Sequence, residues 1–382
     1  MGDFLPLFLG VAAIPFIYYL IVIYSALRYF AQPEATADPE FTPPLSILKP
    51  FRGVDPEPYE NLASFCRLDY PDYEIVLCID PDDTVIQTVI TKVIADFPRT
   101  NIRVFHGSGR IAVNDKCAKL ARLVSEATQE VLVISDSDVR VRPDYLRHVV
   151  TPLRNPKVGA VTCLYVPIGV HTPTDHLQSV GMMSDFYAGV LIDWQLEGMK
   201  FALGPTIATT RTRLNAFGGY PELENRPADD LLVGRFIEEQ GYEVVLIRYA
   251  IDTVCDYATI RDLLFKRLRW IVVMRNMRPW GHLGLLLTMG LPWSIAAAVI
   301  HPAYLPIYLA LRIAMTWVIG IHGLRQRVLW KELPLIPVWD AVAFAIWLTS
   351  FTRNSIRWRG TDYYIREGTL VPVLAGNKNH AG

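Results

Sequence analysis

The stretch Glu130–Arg142, EVLVISDSDVRVR, decides how the chain folds. Its apolar residues Val131–Ser135, rich in β-branched side chains, predict a short buried strand that stops at Asp136-Ser137-Asp138. Ligands of open α/β sheets bind at the carboxyl ends of the strands, so two carboxylates at this position can turn toward one cation. Oxygen ligands of this kind suit Mg2+ or Mn2+, which keep positions for water and phosphate oxygens. The stretch therefore predicts a site for a metal ion and a diphosphate.

The pattern DxD is also frequent in solvated turns, so this interpretation depends on the rest of the chain. From residue 45 to about residue 251, short apolar strands alternate with helical patterns. The predicted strands are Leu45–Leu48, Glu74–Ile79, Ile102–Phe105, Val131–Ser135 and Gly159–Tyr165. The predicted helices include Thr84–Phe97, Asp115–Glu126 and Pro143–Leu153. This alternation predicts an α/β fold with βαβ units, a mostly parallel sheet and a binding site along one edge.

An acidic turn, Asp80–Asp83 (DPDD), comes directly after the second predicted strand. Such a turn is commonly a solvated loop, and Asp83 is an ordinary N-cap candidate for the helix that follows. Asp80 lies closest to the strand and is the better candidate for ligand binding.

A basic residue opens the helix predicted at Asp115–Glu126. The segment Asn114-Asp115-Lys116 follows a loop that contains glycine, and a helix N-terminus beside a lysine is suited to an anion. Lys116 is equally well explained as a surface charge.

A second pair of carboxylates, Asp229 and Asp230, leads into the helical pattern Leu231–Gln240. Acidic residues in a first helical turn stabilise the helix through its dipole. The alternative is that one of them faces the crevice as a general base within reach of a hydroxyl. The sequence does not choose between the two residues.

Composition limits the classes of protein to consider. The chain has 382 residues, 51% of them hydrophobic, and a net charge of -1, so nothing global indicates a nucleic-acid partner. Its five cysteines are scattered without metal-ligand spacing, which is typical of apolar fillers in a reducing compartment.

Hydrophobic segments lie at both ends of the chain. Phe4–Leu27 is nearly uncharged and long enough to span roughly 30 Å of hydrocarbon, and Arg28 after it predicts that the following residues are cytoplasmic. Residues 32–44 are a proline-rich linker. Three more hydrophobic stretches follow at residues 283–300, 303–323 and 333–351. The basic segments that flank them predict that one stretch is re-entrant or interfacial, and we expect it to be the last.

Charged residues inside these stretches require partners. Arg312 and Asp340 are costly in lipid unless they face protein, water or each other, so they either line a lipid groove or extend to the interface. The tail, Ile356–Val373, is predicted to form a small hairpin against the domain.

The segment Ile260–Leu283 is basic and rich in tryptophan. Cations with aromatic and aliphatic residues at helical spacing predict an interfacial helix on an anionic leaflet. Within it, Arg269 can form bidentate bonds to a diphosphate, and Trp270 can hold a sugar or lipid portion.

Four ordered motifs give the chain a family resemblance. They are LSILKPFRGVDPEPYENLASFCRLDYPDYEIVLCIDPDD at residues 45–83, SDSDVRVRPDYL at 135–146, PADDLLVGRF at 227–236 and KRLRW at 266–270. The chain resembles the family 21 glycosyltransferases, the ceramide glucosyltransferase group, and among them the bacterial hopanoid-associated glycosyltransferases. The resemblance implies one amino-terminal membrane helix, a cytosolic GT-A domain over residues 45–258, interfacial helices over 259–282, and membrane segments over 283–352 before a tail.

The resemblance also implies roles for particular residues. The aspartate that contacts the nucleotide falls on Asp80 or Asp83, the metal-binding DxD falls on Asp136 and Asp138, and the catalytic base falls on Asp230 with Asp229 beside it. Lys116, Arg269 and Trp270 complete the implied nucleotide-sugar site. Lys266 stands where the family usually has Gln or Arg, and a histidine of the animal enzymes has no clear counterpart in residues 179–189, SVGMMSDFYAG.

The reaction implied is an inverting, metal-dependent transfer of glucose or a related hexose or N-acetylhexosamine from a UDP-sugar to a membrane-lipid hydroxyl. The acceptors compatible with this resemblance are ceramide, another sphingoid lipid, diacylglycerol and a hopanoid. Two alternatives remain, a processive polysaccharide synthase and a membrane protein that binds nucleotide sugars without turnover.

Overall fold

A computed structural model describes residues 4–34, 36–255, 259–353, 355–358, 361–366 and 368–373 of the chain. The chain divides into two compact units, which are described separately. The α/β unit comprises residues 32–169 and 197–256, and the helical unit comprises residues 1–31, 170–196 and 257–382. Residues 170–196, which we predicted to be part of the GT-A domain, group with the helical unit.

The helices and strands have the following bounds. The α-helices are α1 Phe4–Ala12, α2 Ile14–Phe30, α3 Pro58–Cys66, α4 Thr84–Asp96, α5 Asp115–Glu126, α6 Tyr145–Val150, α7 Pro173–Gly181, α8 Tyr187–Glu197, α9 Arg211–Ala216, α10 Asp229–Glu239, α11 Ile260–Met277, α12 Pro279–Gly284, α13 Gly290–Ala298, α14 Tyr304–Thr316 and α15 Ile336–Ser350. The strands are β1 Leu45–Pro50, β2 Tyr73–Ile79, β3 Asn101–His106, β4 Val131–Ile134, β5 Val139–Arg140, β6 Val158–Ile168, β7 Ile207–Thr210, β8 Glu243–Val254, β9 Ser355–Trp358, β10 Thr361–Arg366 and β11 Thr369–Pro372. Short 3-10 helices cover Thr151–Arg154, Tyr220–Leu223, Leu285–Thr288, Arg327–Lys331 and Leu333–Leu335, and π-helical turns cover Met182–Phe186 and Trp317–Gly323.

The α/β unit is built on an eight-stranded sheet in the order β3-β2-β1-β4-β7-β6-β8-β5. Strands β3, β2, β1 and β4 are parallel, and β6 is parallel to β8. Strand β7 runs antiparallel between β4 and β6, and β5 is antiparallel to β8. The predicted α/β fold with a mostly parallel sheet is therefore confirmed.

The predicted strands agree with β1, β2, β3, β4 and β6, and two predicted helices agree with α4 and α5. The helix predicted at Pro143–Leu153 is shorter, because α6 ends at Val150 and a 3-10 turn with Pro152 follows. The buried core of the sheet includes the fully enclosed side chains of Ile47, Leu77 and Val133. Strands β7 and β8 did not emerge from the sequence pattern.

The end of β4 places the DxD segment. Leu48 of β1 pairs with Ile134, the last residue of β4, and the Ser135 N–H donates to the Leu48 carbonyl at 3.0 Å. Asp136 therefore leaves the sheet at the carboxyl ends of the parallel strands, as the sequence predicts.

The helical unit contains three helices long and apolar enough to cross a membrane, counted over the described residues. They cover Phe4–Phe30, Tyr304–Gly323 and Leu333–Ser350. The helical pair Pro279–Thr288 and Gly290–Ala298 would form a fourth, but it is bent by 46°. The broken or re-entrant segment is therefore the first carboxyl-terminal hydrophobic stretch and not the last one, which we expected. The helix is interrupted there because the Gly290 N–H donates to the Tyr19 hydroxyl at 2.8 Å instead of to a carbonyl of the preceding turn.

The charged residues of these helices face each other. The Arg312 guanidinium lies 2.6 Å from an Asp340 oxygen, both side chains are buried, and the Tyr308 hydroxyl donates to Asp340 at 2.7 Å. Arg312 also pairs with Asp185. Strands β9, β10 and β11 form a three-stranded antiparallel sheet instead of the predicted single hairpin.

Candidate active site

The turn that carries Asp136 and Asp138 is fixed at both ends. Lys49 of β1 donates from its amino group to the Asp136 backbone carbonyl at 2.6 Å, and the Val139 N–H donates to the same carbonyl at 3.4 Å. The Val254 N–H of β8 donates to the Asp138 carbonyl at 3.1 Å. The two carboxylates thus stand on a short connection between β4 and β5 and are only partly buried.

Lys116 joins this turn to the second acidic pair. Its amino nitrogen lies 2.7 Å from Asp136 Oδ1 and 3.4 Å from Asp229 Oδ2, and 23% of its side chain is exposed. Burial lowers the pKa of Lys116, but the carboxylates of Asp136, Asp229 and Asp230 outweigh burial and hold it well above its usual range. Lys116 is therefore a cation of the acidic cluster rather than an isolated surface charge.

Asn114, two residues before Lys116, caps α5. Its side-chain oxygen accepts the Cys117 N–H at 3.4 Å, and its side-chain amide donates to Asp229 Oδ1, also at 3.4 Å. The cap therefore links the start of α5 to the start of α10.

Asp229 and Asp230 differ in their surroundings. Helix α10 begins after Ala228, which has a left-handed φ of 60°. Asp229 contacts Asn114 and Lys116, whereas Asp230 accepts the N–H groups of Gly204 at 3.0 Å and Leu231 at 2.9 Å. Burial, together with the charge of Asp229, raises the pKa of Asp230 to about 6.

Gly204 shows that Asp136 and Asp230 face the same point. A Cβ atom at this glycine would lie 3.0 Å from Asp230 Oδ2 and 3.4 Å from Asp136 Oδ2. The loop before β7 that carries Gly204 is held by buried Thr162, whose hydroxyl accepts the Leu203 N–H at 3.0 Å and donates to the Thr206 carbonyl at 2.8 Å. A side chain at position 204 would fill the space between the two carboxylates.

The acidic turn after β2 serves two purposes. Asp83 caps α4, accepting the Ile86 N–H at 3.1 Å. Asp80 instead lies 2.6 Å from the amino group of Lys119, which also contacts Asp115 at 3.0 Å and donates to the Phe51 carbonyl at 2.7 Å. Lys119 is almost fully buried, so it anchors Asp80 from inside the unit.

The structure thus brings together four of the nine site residues that the sequence singles out. Asp136, Lys116, Asp229 and Asp230 form one cluster around Gly204, and α5 connects it to Asp80. Lys49, Lys119, Asn114 and Gly204 were not predicted to take part; only the position of Asn114 before a helix carried a sequence signal for its capping role.

Arg269 and Trp270 belong to α11 of the helical unit. There the Trp270 ring lies 6.3 Å from the Phe186 ring and 5.0 Å from the Arg267 guanidinium carbon. Lys266 places its amino group 5.9 Å from the same ring.

Asp136 and Asp138 supply the oxygen donors that Mg2+ or Mn2+ prefers. Within the part of the chain that the structure describes, no group of three or more His, Cys, Asp or Glu side chains surrounds a metal position. A site of one or two carboxylates fits a cation that takes its remaining ligands from water and substrate phosphates.

Comparisons with known proteins agree with this fold. A mannosyltransferase from Pyrobaculum calidifontis, solved with GDP-mannose and Mn2+, superposes with a TM-score of 0.58 at 18% identity, over 91% of this chain and 98% of its own. The α/β unit therefore has the fold of the GT-A glycosyltransferases. Over residues 7–371 the sequence matches the glycosyl transferase family 21 model, and the chain belongs to that family.

Two named relatives match the chain at 22% and 23% identity. Ceramide glucosyltransferase 3 of Caenorhabditis elegans is 22% identical over 250 residues, which are 62% of this chain and 52% of the relative. The chain thus matches about half the length of that protein. A beta-monoglucosyldiacylglycerol synthase of Trichormus variabilis is 23% identical over 83% of this chain and 71% of its own length.

Proposed function

We propose that the protein transfers a hexose or N-acetylhexosamine from a UDP-sugar to the hydroxyl of a membrane lipid, with inversion at the anomeric carbon. One observation carries the proposal: Asp230, with its raised pKa, faces the same point as Asp136 of the DxD segment. Membership of family 21 and the GT-A fold support a sugar transfer at this place.

Asp230 is the general base of the proposed reaction. The acceptor oxygen forms a bond to the anomeric carbon while the bond from that carbon to the diphosphate oxygen breaks, and the acceptor proton passes to an Asp230 oxygen. A carboxylate with a pKa of about 6 is mostly ionised at neutral pH and is a stronger base than an ordinary aspartate. A single displacement of this kind inverts the anomeric configuration.

The donor is bound by the other acidic residues. Asp80, held by Lys119, is assigned to the nucleotide in preference to Asp83, whose carboxylate caps α4. Asp136 and Asp138 would hold a divalent cation, which neutralises charge on the departing diphosphate when bound. Lys116 contributes a fixed positive charge to the same region, and the family motif assigns Arg269 and Trp270 to donor binding.

The acceptor is a lipid in this proposal because of the helical unit and the relatives. Helices long and apolar enough to cross a bilayer belong to the same chain, and the names of the relatives specify ceramide and diacylglycerol. Arg28, after the first of these helices, favours a cytoplasmic location for the α/β unit.

The test uses the purified full-length protein in lipid nanodiscs with UDP-glucose or UDP-N-acetylglucosamine and either ceramide or diacylglycerol. Mass spectrometry of the extracted lipid identifies the product. We expect Asp230→Asn to lower turnover by about 10²- to 10⁴-fold, because an amide does not accept the proton. Asp96→Asn, at the end of α4, is the matched control and should retain full turnover. Near-normal turnover of Asp230→Asn would remove the assigned base.

A further inference from the structure

Lys49 is the most deeply enclosed charged side chain beside the acidic cluster. None of its surface is exposed, although it stands on β1 among apolar residues. A lysine is almost never fully buried unless its amino group is paired, because burial without partners is costly. Its position therefore requires an explanation that packing alone does not give.

The hydrogen bonds of the Lys49 amino group lead to the segment after β4. Its amino group donates to the Asp136 carbonyl at 2.6 Å and to the Ser135 hydroxyl at 3.3 Å. It also lies 3.8 Å from the centre of the Phe65 ring, a distance at which a cation is attracted to the aromatic face. The amino group thus bonds to the two residues that directly follow the last residue of β4.

Those residues need such an anchor. The register of β1 with β4 ends at Leu48 and Ile134, so the peptide of Asp136 lies beyond the regular strand pairing. A rotation of this peptide would move the Asp136 carboxylate, which now lies 2.7 Å from the Lys116 amino group and faces Gly204. The bond from Lys49 to the Asp136 carbonyl opposes that rotation.

We propose that Lys49 is a positioning residue that fixes the Asp136 carboxylate for binding of a nucleoside diphosphate, without touching the substrate itself. The inference rests on the proposed function, since it concerns the same site. Because Lys49 is enclosed by protein on all sides, it does not reach a bound substrate, and its hydrogen bonds act through the Asp136 turn. Phe51, two residues farther along the chain, accepts from Lys119, so the end of β1 also supports Asp80.

The main test replaces Lys49 with methionine, which has a similar shape and no donor. Lys49→Met leaves the Asp136 carbonyl without its Lys49 donor, so some loss of stability is expected. We expect Lys49→Met to unfold at a lower temperature than the wild type but to remain folded under the assay conditions, and to bind UDP in the presence of Mn2+ at least about tenfold more weakly, the range found for residues that orient metal ligands. Binding of UDP in the presence of EDTA and binding of GDP in the presence of Mn2+ are measured as comparisons.

A second readout does not depend on the donor. Hydrogen–deuterium exchange of the segment 135–139 should be faster in Lys49→Met than in the wild type, while exchange in β2 and β3 is unchanged. Ser135→Ala, which removes one acceptor and buries no new group, should give a smaller effect of the same kind. It serves as the test if Lys49→Met does not fold.

Ser46→Ala is the matched control. Ser46 is also fully buried on β1, and its hydroxyl donates to Glu74 at 2.6 Å, toward the opposite end of the strand. This variant should lower the unfolding temperature and leave UDP binding unchanged. Unaltered UDP binding and unaltered exchange in both Lys49→Met and Ser135→Ala would overturn the inference. A wild-type protein that binds neither UDP nor GDP would instead overturn the proposed donor, and exchange would still decide the role of Lys49.

Discussion

The charge balance around Asp230 predicts how the pH dependence of the enzyme shifts when its neighbours are replaced. As the general base, Asp230 must be ionised, so the rate should rise with pH through its pKa of about 6. Burial and the charge of Asp229 raise that pKa, whereas the Lys116 ammonium lowers it. The two neighbours therefore act with opposite signs on one group.

Two substitutions separate these effects. Asp229→Asn removes a negative charge, which makes ionisation of Asp230 easier and should move the acid limb to lower pH. Lys116→Met removes a positive charge and, because its amino group lies 3.4 Å from Asp229, leaves that carboxylate unneutralised as well. Its acid limb should move to higher pH. Each shift should be on the order of one pH unit, the usual effect of a charge at such distances.

The assay measures kcat/KM for the lipid acceptor at saturating donor, over a pH range on both sides of 6, since this parameter then reports the donor-bound enzyme that binds the acceptor. Each profile is normalised to its own plateau, so that a loss of absolute rate does not affect the comparison. Glu239→Gln, at the exposed end of α10 and paired with Arg235, is the control and should leave the limb in place. Shifts of the same sign in both variants, or no shift in either, would refute Asp230 as the titrating base.

Four further substitutions test other parts of the structure. Gly204→Ala should lower kcat by about 10²-fold with less than about 2 kcal/mol of destabilisation, because its methyl group would lie 3.0 Å from Asp230 Oδ2. Steady-state kinetics measure the change in kcat, and thermal unfolding measures the change in stability. An unchanged kcat would contradict the convergence of the Asp136 and Asp230 carboxylates. Asp340→Asn should destabilise the helical unit by about 3 to 5 kcal/mol because Arg312 loses a buried partner. Thermal unfolding in detergent measures this effect, and an unchanged midpoint would contradict the prediction. Asp83→Ala should cost about 1 kcal/mol of stability through the lost helix cap but leave UDP affinity intact. Asp80→Ala should instead weaken UDP binding. Calorimetric titration with UDP distinguishes the two variants, and the reverse pattern of affinities would exchange the roles of Asp80 and Asp83.

Local patterns were sufficient to predict much of the sheet. The β-branched runs of β1, β2 and β4 are short and bounded by turn residues, so their positions and the carboxylates after them followed from neighbouring residues alone. The cap of α4 was equally local, since Asp83 bonds within three residues of its own position.

The supports of the site were not local and could not be predicted in this way. Lys49 reaches a carbonyl 87 residues along the chain, and Gly204 meets Asp230 only because β7 is inserted antiparallel between β4 and β6. The choice between Asp229 and Asp230 likewise depends on this loop, since both residues have the same chemistry and begin the same helix.

The ion pair between α14 and α15 has a consequence for biogenesis. A lone arginine or aspartate at the centre of a helix costs roughly 3 kcal/mol when the translocon passes that helix into lipid. The pairing of Arg312 with Asp340 removes both penalties at once, but only after the second helix has been synthesised. The two helices should therefore leave the translocon together as a hairpin, and a ribosome stalled between them would hold the first one back at the membrane entry site.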